Sequence, residues 1–384
     1  MIYFDNAATT GHKPIGVINA VNNALKNYSA NPGRSGHKAS QKSAEAVFKT
    51  REKVSDFFGA TGPEKVIFTL NCTQSINMVL KGVLRKGDHV IVSSFEHNAV
   101  MRPLNKISVS YDVAEVSLFD DEKTLKEFER KIRPNTRMIV CTGASNVFGK
   151  TLPIEEIGNL CRNRGILFCV DAAQIAGVLP INMKKMNIDF LCVAAHKGLY
   201  APMGIGILIA EKNIPNTLIE GGTGTNSEEF VQPEFSPERY ESGTVNLPAI
   251  LGIGAGIDFV NKTGIENIYR YELNLTRKIY SFLKENKNVE LYTPEPLLNS
   301  YMPVISFNFK GIESHKTSNL LSEKGIAVRA GLHCAPLAHK YMNTLNFGAV
   351  RISTSVFNKS EETDALKKVL NSENFLKNLK IPIE

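Results

Sequence analysis

Five short apolar runs in this 384-residue chain each lead into residues whose side chains can do chemistry. Ile67-Phe68 leads to Asn71-Cys72-Thr73-Gln74-Ser75, Ile91-Val92 to Phe95-Glu96-His97-Asn98, and Ile139-Val140 to Gly143-Ala144-Ser145-Asn146. Phe168-Cys169-Val170 leads to Asp171-Ala172-Ala173-Gln174, and Leu191-Cys192-Val193 to Ala195-His196-Lys197. As strands of an open α/β sheet, these runs would place the polar residues at their carboxyl ends, where such sheets bind ligands. Taken singly, each residue also has an ordinary structural reading: Thr73 as a helix cap, His97 as a satisfied loop histidine, Asp171 as a turn residue, Lys197 as a surface lysine.

Together they are more informative. One rim of one sheet would carry a helix N-terminus with hydroxyls for a phosphate, a flat imidazole for stacking, a carboxylate, an amide pair and an amine. That set matches the needs of pyridoxal 5′-phosphate, for which a lysine forms the Schiff base and an acidic residue keeps the pyridine nitrogen protonated so that the ring acts as electron sink. Six cysteines, Cys72, Cys141, Cys161, Cys169, Cys192 and Cys334, show no CxxC pair and no zinc-like spacing, so no metal site is expected. Cys334 stands apart in Arg329-Ala-Gly-Leu-His-Cys334-Ala-Pro336, a stretch punctuated by Gly and Pro that reads as a loop. It is the one cysteine placed for chemistry.

The elements needed to position these groups are legible. Ala44, Val47, Phe48, Val54, Phe57 and Phe58 share a helix face that stops at Gly59, and Val66–Phe68 then reads as a strand. Val90–Val92, Met138–Val140, Ile166–Val170, Phe190–Val193 and Gly206–Ile209 are further buried strands, with helices between several of them, including one opened by Pro153 that runs through Arg164. The expected fold is α/β: a large domain over 15–257 with a mainly parallel sheet flanked by helices. After Asn261 the composition shifts toward Lys, Asn and Glu. A charged helix near Ile268 to Lys287, a strand Val304–Phe307 and a closing helix near Glu361 to Leu370 suggest a smaller α+β domain made of 1–14 and 258–384.

Composition excludes other classes. With 43% hydrophobic and 22% charged residues the chain is an ordinary globular one, neither disordered nor disulfide-stapled. Its net charge of +7 is scattered rather than gathered in a basic tract interleaved with aromatics, which argues against a nucleic-acid partner. No apolar run approaches membrane-spanning length, and Met1-Ile-Tyr-Phe-Asp5 does not begin a charged-then-apolar leader. Reduced thiols fit a reducing compartment, so a cytoplasmic location is expected.

The chain resembles the cysteine desulfurase and selenocysteine lyase family of class V aminotransferases, which are fold type I pyridoxal phosphate enzymes. The similarity is carried in order by Tyr3–Thr10, Asn31–His37, Phe95–Pro103, Val170–Gln174, His196–Pro202, Glu241–Thr244 and Arg329 through Arg351. It implies Lys197 as the Schiff-base lysine, Asp171 on the pyridine nitrogen, Gln174 and Asn146 near the phenolic oxygen, and His97 stacked on the ring. Thr73, with Cys72 beside it, and His196 would hold the phosphate. Gly243-Thr244 would reach the phosphate of a partner subunit, which implies a two-fold homodimer. Arg351 would grip the substrate carboxylate, aided by Asn146 and Arg329. Cys334 would accept sulfur from L-cysteine as a persulfide, leaving alanine, and pass it to an acceptor protein.

The same residues leave alternatives open: selenocysteine lyase, cysteine sulfinate desulfinase, or a class V aminotransferase or β-eliminating C–S lyase in which Cys334 is incidental. A non-enzymatic sulfur or cofactor carrier is a further alternative, as is a metal protein using His333, Cys334 and His339, although the metal version needs further ligands that the loop does not provide at obvious spacing. Two departures from the family pattern stand out, Ala194 where a hydroxyl residue usually precedes the lysine by three positions and Gln74 where an acid is common. Gly221-Gly-Thr-Gly-Thr225 lacks the ending of a nucleotide-binding loop and is expected near the active site or the dimer interface.

Overall fold

The structure is a computed structural model that describes residues 1–33 and 35–381. Arg34, within the Asn31–His37 segment, lies outside the described residues. A short strand β1 (Ile2–Tyr3) opens the chain. The central sheet then takes β2 (Val66–Thr69), β3 (His89–Ser93), β4 (Ser110–Ala114), β5 (Thr136–Thr142), β6 (Leu167–Asp171), β7 (Phe190–Val193) and β8 (Gly206–Ala210). Their order is β2-β8-β7-β6-β5-β3-β4.

Neighbouring strands from β4 to β7 pair in parallel, whereas β8 is antiparallel to both β7 and β2. Parallel pairs need a long crossover, and the connection from β7 to β8 contains no helix, so the chain turns back on itself there. Because β8 reverses direction between β7 and β2, β2 again runs the same way as β7. The carboxyl ends of β2, β3, β5, β6 and β7 therefore share one rim. The apolar runs are buried throughout, as a sheet covered on both faces requires. Ser110–Ala114 carries no apolar run because β4, at one edge of the sheet, is only partly covered; β2 at the other edge is fully buried.

The helix Lys38–Phe58 ends at Gly59, whose φ of 64° is the left-handed conformation that glycine adopts without a Cβ penalty. Val47, Val54 and Phe58 of that helix are buried, but Phe48 is half exposed. It follows Val47 by one residue, a rotation of about 100° that takes it to the edge of the apolar stripe. The helix Leu247–Thr263 packs tightly over the loop after β7: a Cβ on Gly256 would lie 1.9 Å from the Leu199 carbonyl oxygen. Gly198 similarly approaches Ala176, with a virtual Cβ 2.3 Å from its carbonyl oxygen, which fixes the turn carrying Lys197.

The C-terminal part adds an antiparallel sheet of β9 (Val289–Leu291), β10 (Val304–Phe309), β12 (Arg329–Gly331) and β13 (Ala349–Ser353), in the order β12-β13-β10-β9. β11 (Ile326–Ala327) pairs in parallel with β1. Phe4 is buried with Ile305, Phe307, Phe309, Val350 and Ile352, so the start of the chain belongs to the core beneath this second sheet. The helices Ile265–Glu285 and Ser360–Leu370 correspond to the charged and closing helices read from the sequence. Among the described residues, no helix is long and apolar enough to cross a membrane and no group of side chains is arranged to hold a metal.

Candidate active site

A cavity of about 220 Å³ opens at the carboxyl rim of the central sheet, and Asp171 and Lys197 both line it. Asp171 closes β6 and is 4% exposed; its Oδ1 accepts from the Ala173 amide at 2.9 Å and the Cys72 thiol at 3.5 Å. Lys197 follows β7 in a turn whose amide donates to the Ala194 carbonyl at 3.1 Å. Desolvation pushes the Lys197 amine down to about 8, against the attraction of Asp171 and with the help of Arg351. Such an amine is partly neutral near physiological pH, the state in which it can attack a carbonyl or take a proton.

The helix Cys72–Val83 starts at the cavity, and Cys72 and Thr73 in its first turn line the wall. Its free amides and dipole make that end suited to an anion. Asn71 caps it by accepting from the Gln74 amide at 2.9 Å, while Gln74 Oε1 accepts from the Leu70 amide at 2.6 Å. Gln74 thus ties the first turn of the helix to the backbone just before its cap, through an acceptor that a neutral amide supplies. Ala194 lines the cavity and offers no side-chain donor.

His97 caps the next helix, its Nδ1 accepting from the Ala99 amide at 3.0 Å, so the neutral ring carries its proton on Nε2. Burial lowers its pKa, with Asp171 opposing. His196 lines the wall beside Lys197, and its Nδ1 lies 3.0 Å from Thr9 Oγ1. Burial and the neighbouring Lys197 and Lys13 push its pKa down to about 4, so it brings hydrogen bonding rather than charge.

Asn146, Gln174, Arg329 and Arg351 complete the expected lining. The amide nitrogens of the first two point to backbone: Asn146 Nδ2 donates to the His333 carbonyl at 2.9 Å, and Gln174 Nε2 to the Ala7 carbonyl at 3.1 Å. Arg329 and Arg351 are direct partners across β12 and β13, a like-charge pair that makes this wall electropositive. Arg351 is 1% exposed and donates from Nη2 to Asp5 Oδ1 at 2.6 Å and from Nη1 to the Asn146 carbonyl at 2.8 Å.

Cys334 is exposed, whereas the other five cysteines are buried. It does not itself line the cavity, although the adjacent His333 and Arg329 on β12 do. His333 and Cys334 hold φ values of 50° and 56°, a left-handed pair that non-glycine residues seldom adopt and that surrounding contacts must enforce. The Asn98 amide donates to the Cys334 carbonyl at 2.7 Å and helps do so.

Residues 2–366 match the family model described as aminotransferase class-V. The chain belongs to the class-V aminotransferase family. A probable cysteine desulfurase of Pyrococcus abyssi is 33% identical over 96% of this chain and 93% of its own length. One from Borreliella burgdorferi is 34% identical over 96% and 92%. The apo structure of a cysteine desulfurase from Thermococcus onnurineus NA1 superposes with a TM-score of 0.89 at 31% identity, covering 98% of this chain and 95% of that one.

Within the single chain, neither Gly243 nor Thr244 lines the cavity. Gly243 lines a separate surface groove with Thr223, Thr225 and the half-exposed Phe48, and its amide donates to the Gly222 carbonyl at 2.9 Å. The Gly221–Thr225 stretch therefore neighbours Gly243, not Lys197. Four residues at the site carry no role expected from the sequence: Asp5, Ala7, Ala8 and Glu96. The first three come from the N-terminal segment, where Ala7 and Ala8 line the cavity and Asp5 holds Arg351. Glu96 is fully buried under the rim, accepting from the Thr142 amide at 2.8 Å and from the Ser93 hydroxyl; desolvation raises its carboxyl to about 8.

Proposed function

We propose that the protein is a pyridoxal 5′-phosphate-dependent cysteine desulfurase that converts L-cysteine to L-alanine and moves the sulfur to Cys334. The observation that carries this is the pairing of a desolvated Lys197 amine and the Asp171 carboxylate in one cavity, beside a loop that exposes Cys334. The residues fit the cofactor. A carboxylate suits the pyridine nitrogen, the Cys72–Val83 helix start suits a phosphate, the neutral His97 suits a ring face, and the amine suits an aldehyde. When bound, pyridoxal phosphate supplies the aldehyde for amine exchange and the electron sink for charge developing at the substrate α-carbon.

The chain's own residues divide the remaining work. Arg351 and Arg329 attract the substrate carboxylate and orient it. Lys197 Nζ, with its pKa near neutrality, takes the α-proton and returns one to carbon. The Cys334 thiolate attacks the substrate sulfur: a Cys334 Sγ–S bond forms, the substrate Cβ–S bond breaks, and the electron pair left at Cβ takes up a proton to give the methyl group of alanine. An exposed Cys334 is then accessible to an acceptor protein that removes the terminal sulfur.

Gly243 and Thr244, which do not line the cavity of their own chain, fit a role at the site of a second copy in a homodimer. The five buried thiols suit a reducing, cytoplasmic setting. The test is a product balance. Protein loaded with pyridoxal phosphate and given L-cysteine and a reductant should yield alanine and sulfide in equal amounts. Pyruvate with sulfide would mean β-elimination and would remove Cys334 from the mechanism.

A further inference from the structure

Arg351 meets a carboxylate within its own chain. Its Nη2 donates to Asp5 Oδ1 at 2.6 Å, the one oxygen of that carboxylate it engages, while its buried Nε has no hydrogen-bond partner among the described residues. A guanidinium holds a carboxylate best with two parallel N–H donors, so this contact is an incomplete one. Leaving Nε unsatisfied costs free energy that a bidentate acid on Nε and Nη2 would recover.

The backbone beneath Asp5 is fixed independently of that contact. Asp5 bridges Ser353 on the strand of Arg351, the Ala7 amide donates to Ser353 Oγ at 2.8 Å, and Asn6 Nδ2 donates to the Ser353 carbonyl at 3.0 Å. The Asp5 side chain remains 20% exposed against 1% for Arg351. It can therefore swing toward solvent by side-chain rotation while the segment stays pinned. Arg351 has no such freedom, because its Nη1 is held by the Asn146 carbonyl.

We propose that Asp5 is an internal competitor for the carboxylate position on Arg351, displaced each time substrate binds. This rests on the reading above that Arg351 receives the substrate carboxylate. Exchange of one carboxylate for another keeps the buried guanidinium neutralised at every stage, which avoids the cost of an unpaired buried charge. It also makes Asp5 a specificity residue: an amine or thiol lacking a carboxylate cannot displace it, whereas an α-carboxylate can take both Nη2 and the unsatisfied Nε.

The test compares wild-type holoenzyme with Asp5→Asn, which keeps the shape and one acceptor for Nη2 but removes the charge. Calorimetric titration with 3-mercaptopropionate, which carries the carboxylate and thiol but no amine, should show about tenfold tighter binding by the variant, equivalent to ~1.4 kcal/mol. Its KM for L-cysteine should fall with little change in kcat, and its response to cysteamine, which has no carboxylate, should match wild type. Equal or weaker 3-mercaptopropionate binding by folded Asp5→Asn protein would overturn the proposal and make Asp5 a fixed support for Arg351. Asp5→Ser decides the matter in the same way should the Asn variant fail to fold. The titration reads the Asp5–Arg351 exchange whether or not cysteine is turned over, so a failure of the desulfurase reading would show in the product balance alone.

Discussion

The Asn98 amide and the Cys334 carbonyl oxygen are 2.7 Å apart, which ties the cysteine loop to the helix capped by His97. Asn146 holds the preceding residue through the His333 carbonyl. Two successive left-handed residues are thus clamped between two segments that also line the cavity.

Asn146→Ala should loosen that clamp. Loss of one such hydrogen bond is worth about 1 kcal/mol, so persulfide formation in a single turnover should slow roughly fivefold. The KM for cysteine should move less, because the Asn146 backbone carbonyl that holds Arg351 is retained. Rapid-quench measurement of alanine formation separates the two effects.

The Lys197 amine governs cofactor capture. It titrates at about 8, and only the neutral form attacks an aldehyde, so apoprotein should take up pyridoxal phosphate faster as pH rises, levelling off above that value. Asp171 favours the charged amine; Asp171→Asn should therefore move the midpoint lower. Stopped-flow absorbance across a pH series checks both.

Glu272 is a buried carboxyl raised by desolvation to about 8, facing Tyr200 and the Val356 amide. Between the ordinary value of 4.5 and about 8 the native state keeps a proton that the unfolded chain has lost. Stability contributed in this way is present at low pH and falls as pH rises through that window. Glu272→Gln should flatten the fall of Tm with pH, leaving the parallel contribution of Glu96.

Arg51 and Glu241 form a two-pronged ion pair at 2.8 and 2.9 Å, with both side chains less than a tenth exposed. Glu241 also accepts from the Phe68 amide at 2.6 Å and so anchors the Gly243-Thr244 segment to β2. Removing one partner strands the other charge, so Glu241→Ala should cost about 3–5 kcal/mol in denaturant unfolding.

The strands of the central sheet were readable because burial on both faces writes continuous apolar runs, and the rim residues were readable because they follow those runs directly. β4 was not, since its side chains are only partly covered and Ser110-Tyr-Asp-Val-Ala114 has no such run. Nor was the antiparallel course of β8, which depends on the absence of a helix after Lys197. The assignments to Lys197, Asp171 and Arg351 drew on ordered motifs, but the partner of Arg351 lies 346 positions away in sequence and leaves no local trace. Phe48 was misplaced because a helical stripe has edges that composition alone does not resolve. The contacts of Asn146 and Gln174 with backbone follow from loop packing, which periodicity does not encode.

The most direct test of the central claim is peptide mass spectrometry after pyridoxal phosphate-loaded protein meets L-cysteine without reductant. The peptide containing Cys334 should gain one sulfur atom for each alanine released, and Cys334→Ser protein should remain folded yet accumulate neither. Continued alanine formation with no added sulfur on Cys334, or unchanged turnover by the serine variant, would contradict the account.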